Sequence, residues 1–90
     1  MLLFAPATLD AQKVVRKSIR QGNKVYAKEK YTEAEIAYLK ALEADPASKE
    51  ANYNLGNALF KQEKTKEAFE KYQLALSKET DPLKKASILH

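Results

Sequence analysis

Apolar side chains recur every three or four residues along most of the chain, which is the spacing of one face of an α-helix. In the first such stretch, Val15, Ile19 and Val25 follow this spacing. The pattern predicts an all-α chain with helices over about 11–28, 32–44, 47–62 and 66–78, and a fifth that begins at 81 and runs to 90.

Local chemistry sets the predicted ends of these helices. Thr32 and Glu35 are spaced as a capping box, in which two side chains satisfy free amide groups at a helix start. Pro46 cannot donate an amide hydrogen bond to a continuing helix, so the second helix is expected to stop just before it. Asp81 followed by Pro82 has the form of a cap and a first-turn proline, which predicts the start of the fifth helix.

The chain repeats itself at an offset of 34 residues. Nine positions within 15–48 are identical with the position 34 residues later. They are Gly22/Gly56, Asn23/Asn57, Glu29/Glu63, Lys30/Lys64, Glu33/Glu67, Ala34/Ala68, Tyr38/Tyr72, Ala41/Ala75 and Leu42/Leu76. A period of this length that contains two helices is the signature of a helical repeat protein.

Small residues lie at equivalent places in the two repeats. Gly22 and Gly56 fall in the middle of a helix, where Gly costs up to about 1 kcal/mol relative to Ala. Because this cost is repeated, we expect a neighbouring helix to pack where a β-carbon would clash. Ala34 and Ala68 are predicted to supply the matching flat surface.

These residues resemble the tetratricopeptide repeat, whose pattern is Trp-x2-Leu-Gly-x2-Tyr, then Ala-x3-Phe, a further Ala and a closing Pro. The second repeat reads Asn52-x2-Leu55-Gly56-x2-Leu59, then Ala68-x3-Tyr72 and Ala75. The first reads Ser18-x2-Gln21-Gly22-x2-Val25, then Ala34-x3-Tyr38, Ala41 and Pro46. The chain departs from the pattern because it has no Trp and has Gln21 in place of Leu.

The resemblance implies helix-turn-helix repeats stacked into a right-handed superhelix. It divides the chain into four parts: 1–11 as a disordered start or signal-peptide remnant, 12–46 as repeat 1, 47–80 as repeat 2, and 81–90 as the first helix of an incomplete third repeat.

In this family the first helix of each repeat forms a concave wall that holds a segment of a peptide or protein. Carried over, the candidate peptide-binding residues are Arg16, Ile19, Asn23, Tyr26, Glu50, Tyr53, Asn54, Asn57, Phe60 and Lys61. Asparagine amides can bond a peptide backbone whatever its side chains are, and aromatic rings offer rigid apolar contact. Alternatively, some of these aromatic rings only fill gaps between neighbouring helices.

A finer likeness concerns Ile19-Arg-Gln-Gly-Asn-Lys and Glu79-Thr-Asp, which are similar to the repeat protein of bacterial aerotolerance (Bat) operons. This likeness implies a bacterial envelope protein. The apolar residues 2–4, followed by small residues, would fit the end of a signal peptide. The predicted location is the periplasm or envelope if this segment is such a remnant, and the cytoplasm otherwise.

The amino-acid composition excludes several kinds of catalytic and metal-binding site. The chain has no Cys and a single His, His90, which excludes thiol chemistry, paired-His zinc sites and a Ser-His relay. It also lacks a Gly-rich phosphate loop and metal-ligand spacing. The sequence therefore predicts a protein that is not an enzyme and uses no cofactor or metal.

The net charge of +4 is unevenly distributed, since residues 1–30 carry seven basic and two acidic side chains. The basic side chains of the first predicted helix are Lys13, Arg16, Lys17, Arg20, Lys24 and Lys28. They form either a solvated helix face or a module for anions or nucleic acid. Nucleic-acid binding ranks behind peptide binding because few aromatic residues interleave with these cations.

Self-association is a further hypothesis. Stacked repeats are stabilised mostly by their neighbours, and about three are usually needed. This chain has two repeats and an apolar stub at 86–89, so we expect two copies to cover each other's open ends as a homo-oligomer. A longer array of repeats would explain the stub equally well.

Overall fold

In the part of the chain that the structure describes, four α-helices form two stacked hairpins. The computed structural model describes residues 8–79, 81 and 83, and within them the helices are α1 (Leu9–Ala27), α2 (Tyr31–Ala44), α3 (Lys49–Lys61) and α4 (Thr65–Lys78). α1 packs along α2 and α3 along α4, while α3 also packs on α2 and joins the two hairpins. The all-α repeat architecture predicted from the 34-residue period is confirmed.

Side-chain caps fix the starts of α1 and α3. The hydroxyl of Thr8 accepts the amide hydrogen of Ala11 at 3.0 Å, so α1 begins two residues earlier than predicted. The hydroxyl of Ser48 accepts the amide hydrogen of Ala51 at 3.2 Å, so α3 begins at Lys49, two residues later than predicted. In both cases the capping hydroxyl satisfies an amide that has no partner inside the helix.

Two sequence predictions fall mostly outside the described residues. The proposed signal-peptide remnant covers residues 1–11, of which 1–7 lie outside the described residues. Residues 9–11 form the start of α1. The proposed fifth helix lies mainly beyond position 83, although the Asp81 carboxylate accepts the Leu83 amide hydrogen at 2.9 Å, as a capping residue does. Both remain predictions.

The predicted capping box at the start of α2 is wrong. The helix begins at Tyr31 with no side-chain cap, which leaves Thr32 and Glu35 inside it. The Thr32 hydroxyl donates to Gln62 Oε1 at 3.2 Å, and Glu35 Oε1 accepts from Gln62 Nε2 at 2.7 Å. Both side chains therefore bind the end of α3 and connect the hairpins.

The turns inside the two hairpins share one geometry. Glu29 and Glu63 both adopt a left-handed backbone, with φ of 61° and 64°. The Lys30 amide donates to the Val25 carbonyl at 3.0 Å, and the equivalent bond from Lys64 is repeated in the second hairpin, which is the Schellman arrangement that ends a helix. Glycine is the usual residue at such a position, so the sequence carried no obvious signal for these turns.

Close approach of the helices depends on small residues beneath tyrosine rings. A β-carbon at Gly22 would lie 2.7 Å from Cδ1 of Tyr38, and one at Gly56 would lie 2.7 Å from Cδ1 of Tyr72. The predicted clash is therefore confirmed, and the group that causes it is a ring of the partner helix. Ala34 and Ala68, predicted to supply flat surfaces, are buried.

In repeat 2, Asn52 occupies the position at which the tetratricopeptide pattern has Trp. Asn52 is buried, and its Nδ2 donates to the carbonyls of Ser48 at 3.0 Å and Pro46 at 3.3 Å. A buried amide is stable only when it is hydrogen-bonded. Asn52 therefore fixes the loop between α2 and α3.

Candidate functional site

Three asparagine side chains from α1 and α3 meet where the two hairpins join. Asn54 Nδ2 donates to Asn23 Oδ1 at 3.2 Å, which links α3 to α1 directly. Together with Asn57, Tyr26 and Tyr38, they line a small cavity of about 130 Å³. We call Asn23, Asn54 and Asn57 the asparagine cluster.

Two tyrosines of the second helices orient this cluster. The Tyr38 hydroxyl donates to Asn23 Oδ1 at 2.6 Å, and the Tyr72 hydroxyl donates to Asn57 Oδ1 at 2.6 Å. With each Oδ1 held by a tyrosine, the Nδ2 groups of Asn23 and Asn57 are left without an intramolecular partner among the described residues. The Oδ1 of Asn54 is likewise unbonded within the described part of the chain, so the cluster offers two donors and one acceptor.

Burial disfavours ionisation of both tyrosine hydroxyls. The pKa of Tyr38 is raised to about 12, mainly by burial and to a smaller extent by the neighbouring Tyr26 and Glu50. The pKa of Tyr72 is also raised, mainly by burial and next by the neighbouring Tyr53. At neutral pH both groups are therefore hydrogen-bond donors, as the orientation of the asparagine cluster requires.

This pKa shift predicts a loss of stability in alkali. Tyr38 titrates near its ordinary value of 10.0 when unfolded and near about 12 when folded, so the folded state binds more protons between these values. The contribution of Tyr38 is fully present below pH 10 and is lost as the pH rises towards 12. In urea unfolding, the wild type should lose stability more steeply over this interval than Tyr38→Phe, each compared with its own value at neutral pH. Equal slopes would contradict the prediction.

Of the three aromatic residues predicted to bind a peptide, Tyr26 and Tyr53 pack against other rings and Phe60 is exposed. The Tyr26 ring contacts that of Tyr31 edge-on at 5.1 Å, and the Tyr53 ring lies 5.7 Å from that of Tyr72. Both rings are partly buried, so they fill space between helices and remain partly exposed. Phe60 is 56% exposed and makes no such ring contact within the described residues.

The remaining candidates do not join the cluster. Ile19 is 5% exposed and belongs to the core, because its apolar side chain faces the helix interface. Arg16, Glu50 and Lys61 are exposed but do not line the cavity. The orienting role of Tyr38 and Tyr72 was not predicted from the sequence, although the spacing of 15 residues from Asn to Tyr occurs identically in both repeats.

No candidate metal site is present in the part of the chain that the structure describes, because no three acidic or histidine side chains lie together there. Across the same residues, no helix has the length and apolar character needed to cross a membrane.

Comparison with protein families explains the duplicated geometry. The family model for the tetratricopeptide repeat matches residues 19–83, which include the C-terminal part of α1 and all of α2, α3 and α4. The chain belongs to the tetratricopeptide repeat family. Tetratricopeptide repeats generally mediate protein–protein interaction and are typically non-catalytic scaffolds.

The family assignment also shows which helices of the repeats carry the asparagine cluster. Its members lie on α1 and α3, which are the first helices of the two tetratricopeptide repeats. Comparison with curated proteins gives no match. The finer likeness to the tetratricopeptide repeat protein of Bat operons therefore remains a prediction.

Proposed function

We propose that the chain is a non-catalytic scaffold that holds an extended segment of a partner protein against α1 and α3. The observation that supports this is the orientation of the asparagine cluster by Tyr38 and Tyr72. Groups held in place before binding lose little conformational freedom when a ligand arrives.

The cluster matches the chemistry of a peptide backbone. An extended chain presents N–H and C=O groups in alternation, so carbonyls can accept from Asn23 and Asn57 while an amide donates to Asn54. Each such neutral hydrogen bond contributes about 0.5–1.5 kcal/mol. Recognition of this kind tolerates many side chains, and the exposed ring of Phe60 offers one apolar contact nearby.

An isosteric change at Asn57 tests the proposal. Asn57→Asp keeps an oxygen for the Tyr72 hydroxyl but replaces the outward amide donor with an acceptor. We expect peptides selected on the wild type from a phage-displayed random library to bind this variant about tenfold more weakly in fluorescence anisotropy, because a carboxylate would face a carbonyl.

The matched control is Gln73→Glu, which makes the same chemical change at an exposed position of α4. It should bind the selected peptides as the wild type does, and both variants should keep the helical circular dichroism. Equal affinity of Asn57→Asp and the wild type, or selection of the same peptides on both, would refute backbone recognition by the cluster.

Self-association is the second candidate, and one exposed side chain favours it. Phe69 on α4 is 62% exposed and stands 34 residues after Glu35, which contacts the following hairpin through Gln62 and Lys64. Phe69 therefore occupies the position through which one repeat contacts the next. We propose that any homo-oligomer forms through this face of α4.

A further inference from the structure

A second and larger groove lies between α1 and α2. It has a volume of about 730 Å³, and its lining includes Val14, Lys17, Arg20, Lys24, Ile36 and Lys40. None of these residues belongs to the asparagine cluster, so the inference drawn from this groove is independent of the proposed function.

Equivalent positions on α1 and α3 differ in burial, and this difference indicates which kind of ligand the groove could bind. Lys17 and Lys24 of α1 are exposed, whereas their counterparts Ala51 and Ala58 of α3 are fully buried. Each first helix packs on its own second helix in the same way, but α3 is also covered by α2. The difference in burial therefore identifies the surface of α3 that α2 covers. The equivalent surface of α1 is open in the described structure, and a helix could pack there in the same way.

The charges of the groove define the helix that would fit. Four cations line it, namely Lys17, Arg20, Lys24 and Lys40, against the one carboxylate of Glu33. None of the four cations forms an ion pair with a described residue. An uncharged helix would cover these cations without a partner, which is costly, whereas carboxylates on the helix would neutralise them.

The groove also has an apolar component. Val14 is 39% exposed and Ile36 is 63% exposed, and they lie on opposite sides of the groove, on α1 and α2. The stems of the neighbouring lysines extend this apolar surface. A ligand that uses the whole groove therefore needs an apolar stripe flanked by carboxylates.

We propose that the groove between α1 and α2 binds an acidic amphipathic helix of a partner protein. Apolar side chains of that helix contact Val14 and Ile36, and its carboxylates pair with Lys17, Lys24 and Lys40. The α1 side of the groove extends from position 14 to 24, which is about 15 Å of helix, so a ligand of about three turns spans it.

Nucleic acid fits the groove less well. Proteins that bind single strands stack bases on aromatic rings, and the residues that line this groove include no aromatic side chain. The Glu33 carboxylate would also repel a phosphate, and the apolar surface of Ile36 would stay unused.

A labelled synthetic peptide tests the proposal. The probe has about 14 residues and places leucines on one helical face with glutamates on both sides of it. We expect fluorescence anisotropy to show binding to the wild type. Lys17→Glu/Lys24→Glu should weaken binding by about tenfold, because two attractive ion pairs become repulsive. Ile36→Ser should also weaken it, since the peptide then loses an apolar contact.

The control variant is Lys30→Glu/Lys66→Glu, which makes the same change in net charge at exposed positions outside the groove. It should bind the probe as the wild type does. The proposal is overturned if the wild type does not bind the probe or if Lys17→Glu/Lys24→Glu binds it equally well. It is also overturned if a scrambled peptide of the same composition binds equally, or if an oligothymidylate binds more tightly than the probe.

Discussion

Replacing Leu55 with alanine is expected to lower the free energy of unfolding by about 2–5 kcal/mol. Leu55 is 1% exposed and lies in the core that the two repeats share, so truncation leaves a cavity beside Ala51 and Ala58. Alanine side chains cannot move to fill that space. Urea denaturation followed by helical circular dichroism measures the effect.

Leu74→Ala provides the matched control because it makes the same truncation on the exposed side of α4, where the side chain is 44% exposed. It should change the free energy of unfolding by less than about 0.5 kcal/mol. A chain of 90 residues has a total stability of about 5–13 kcal/mol, so the loss at Leu55 is a large fraction of it. Similar midpoints for the two variants would show that the hairpins do not depend on their shared core.

Gly56→Ala is expected to destabilise the protein by about 1–3 kcal/mol, although alanine in an open helix would stabilise it by up to about 1 kcal/mol. The added β-carbon would lie 2.7 Å from Cδ1 of Tyr72. The ring cannot easily move away because its hydroxyl is bound to Asn57 at 2.6 Å. Gly22→Ala should behave in the same way against Tyr38, which is 2% exposed.

A double-mutant cycle separates the clash from helix propensity. When Tyr72→Ala has removed the ring, Gly56→Ala should raise the free energy of unfolding by up to about 1 kcal/mol. The sign of the glycine substitution therefore reverses between the two backgrounds. If Gly56→Ala stabilises the otherwise unchanged protein, the ring does not limit the approach of the helices.

The four helices and their duplication could be predicted because their signals lie within the sequence itself. Apolar spacing gives each helix, and the identical positions give the 34-residue period. The error at Thr32 and Glu35 has a different origin. Their partner Gln62 is 30 and 27 residues away, and a rule that considers four consecutive residues cannot detect such a contact.

The candidate site could be predicted only in part. The repeat pattern fixes the helix face of Asn23, Asn54 and Asn57, which the structure brings together around one small cavity. The orienting bonds from Tyr38 and Tyr72 depend on side-chain conformation and on the distance between helices. The larger groove became visible only when the burial of equivalent positions could be compared.

The unlike surfaces of α1 and α3 limit how such a protein can lengthen by tandem duplication. The second hairpin carries Ala51 and Ala58 on the side that meets a preceding unit, so a copy of it can follow another hairpin. A copy of the first hairpin would bring Lys17 and Lys24 to that junction and bury two ammonium groups. Duplicated gene segments that encode the second unit can therefore extend the series, whereas a copied first unit would interrupt it.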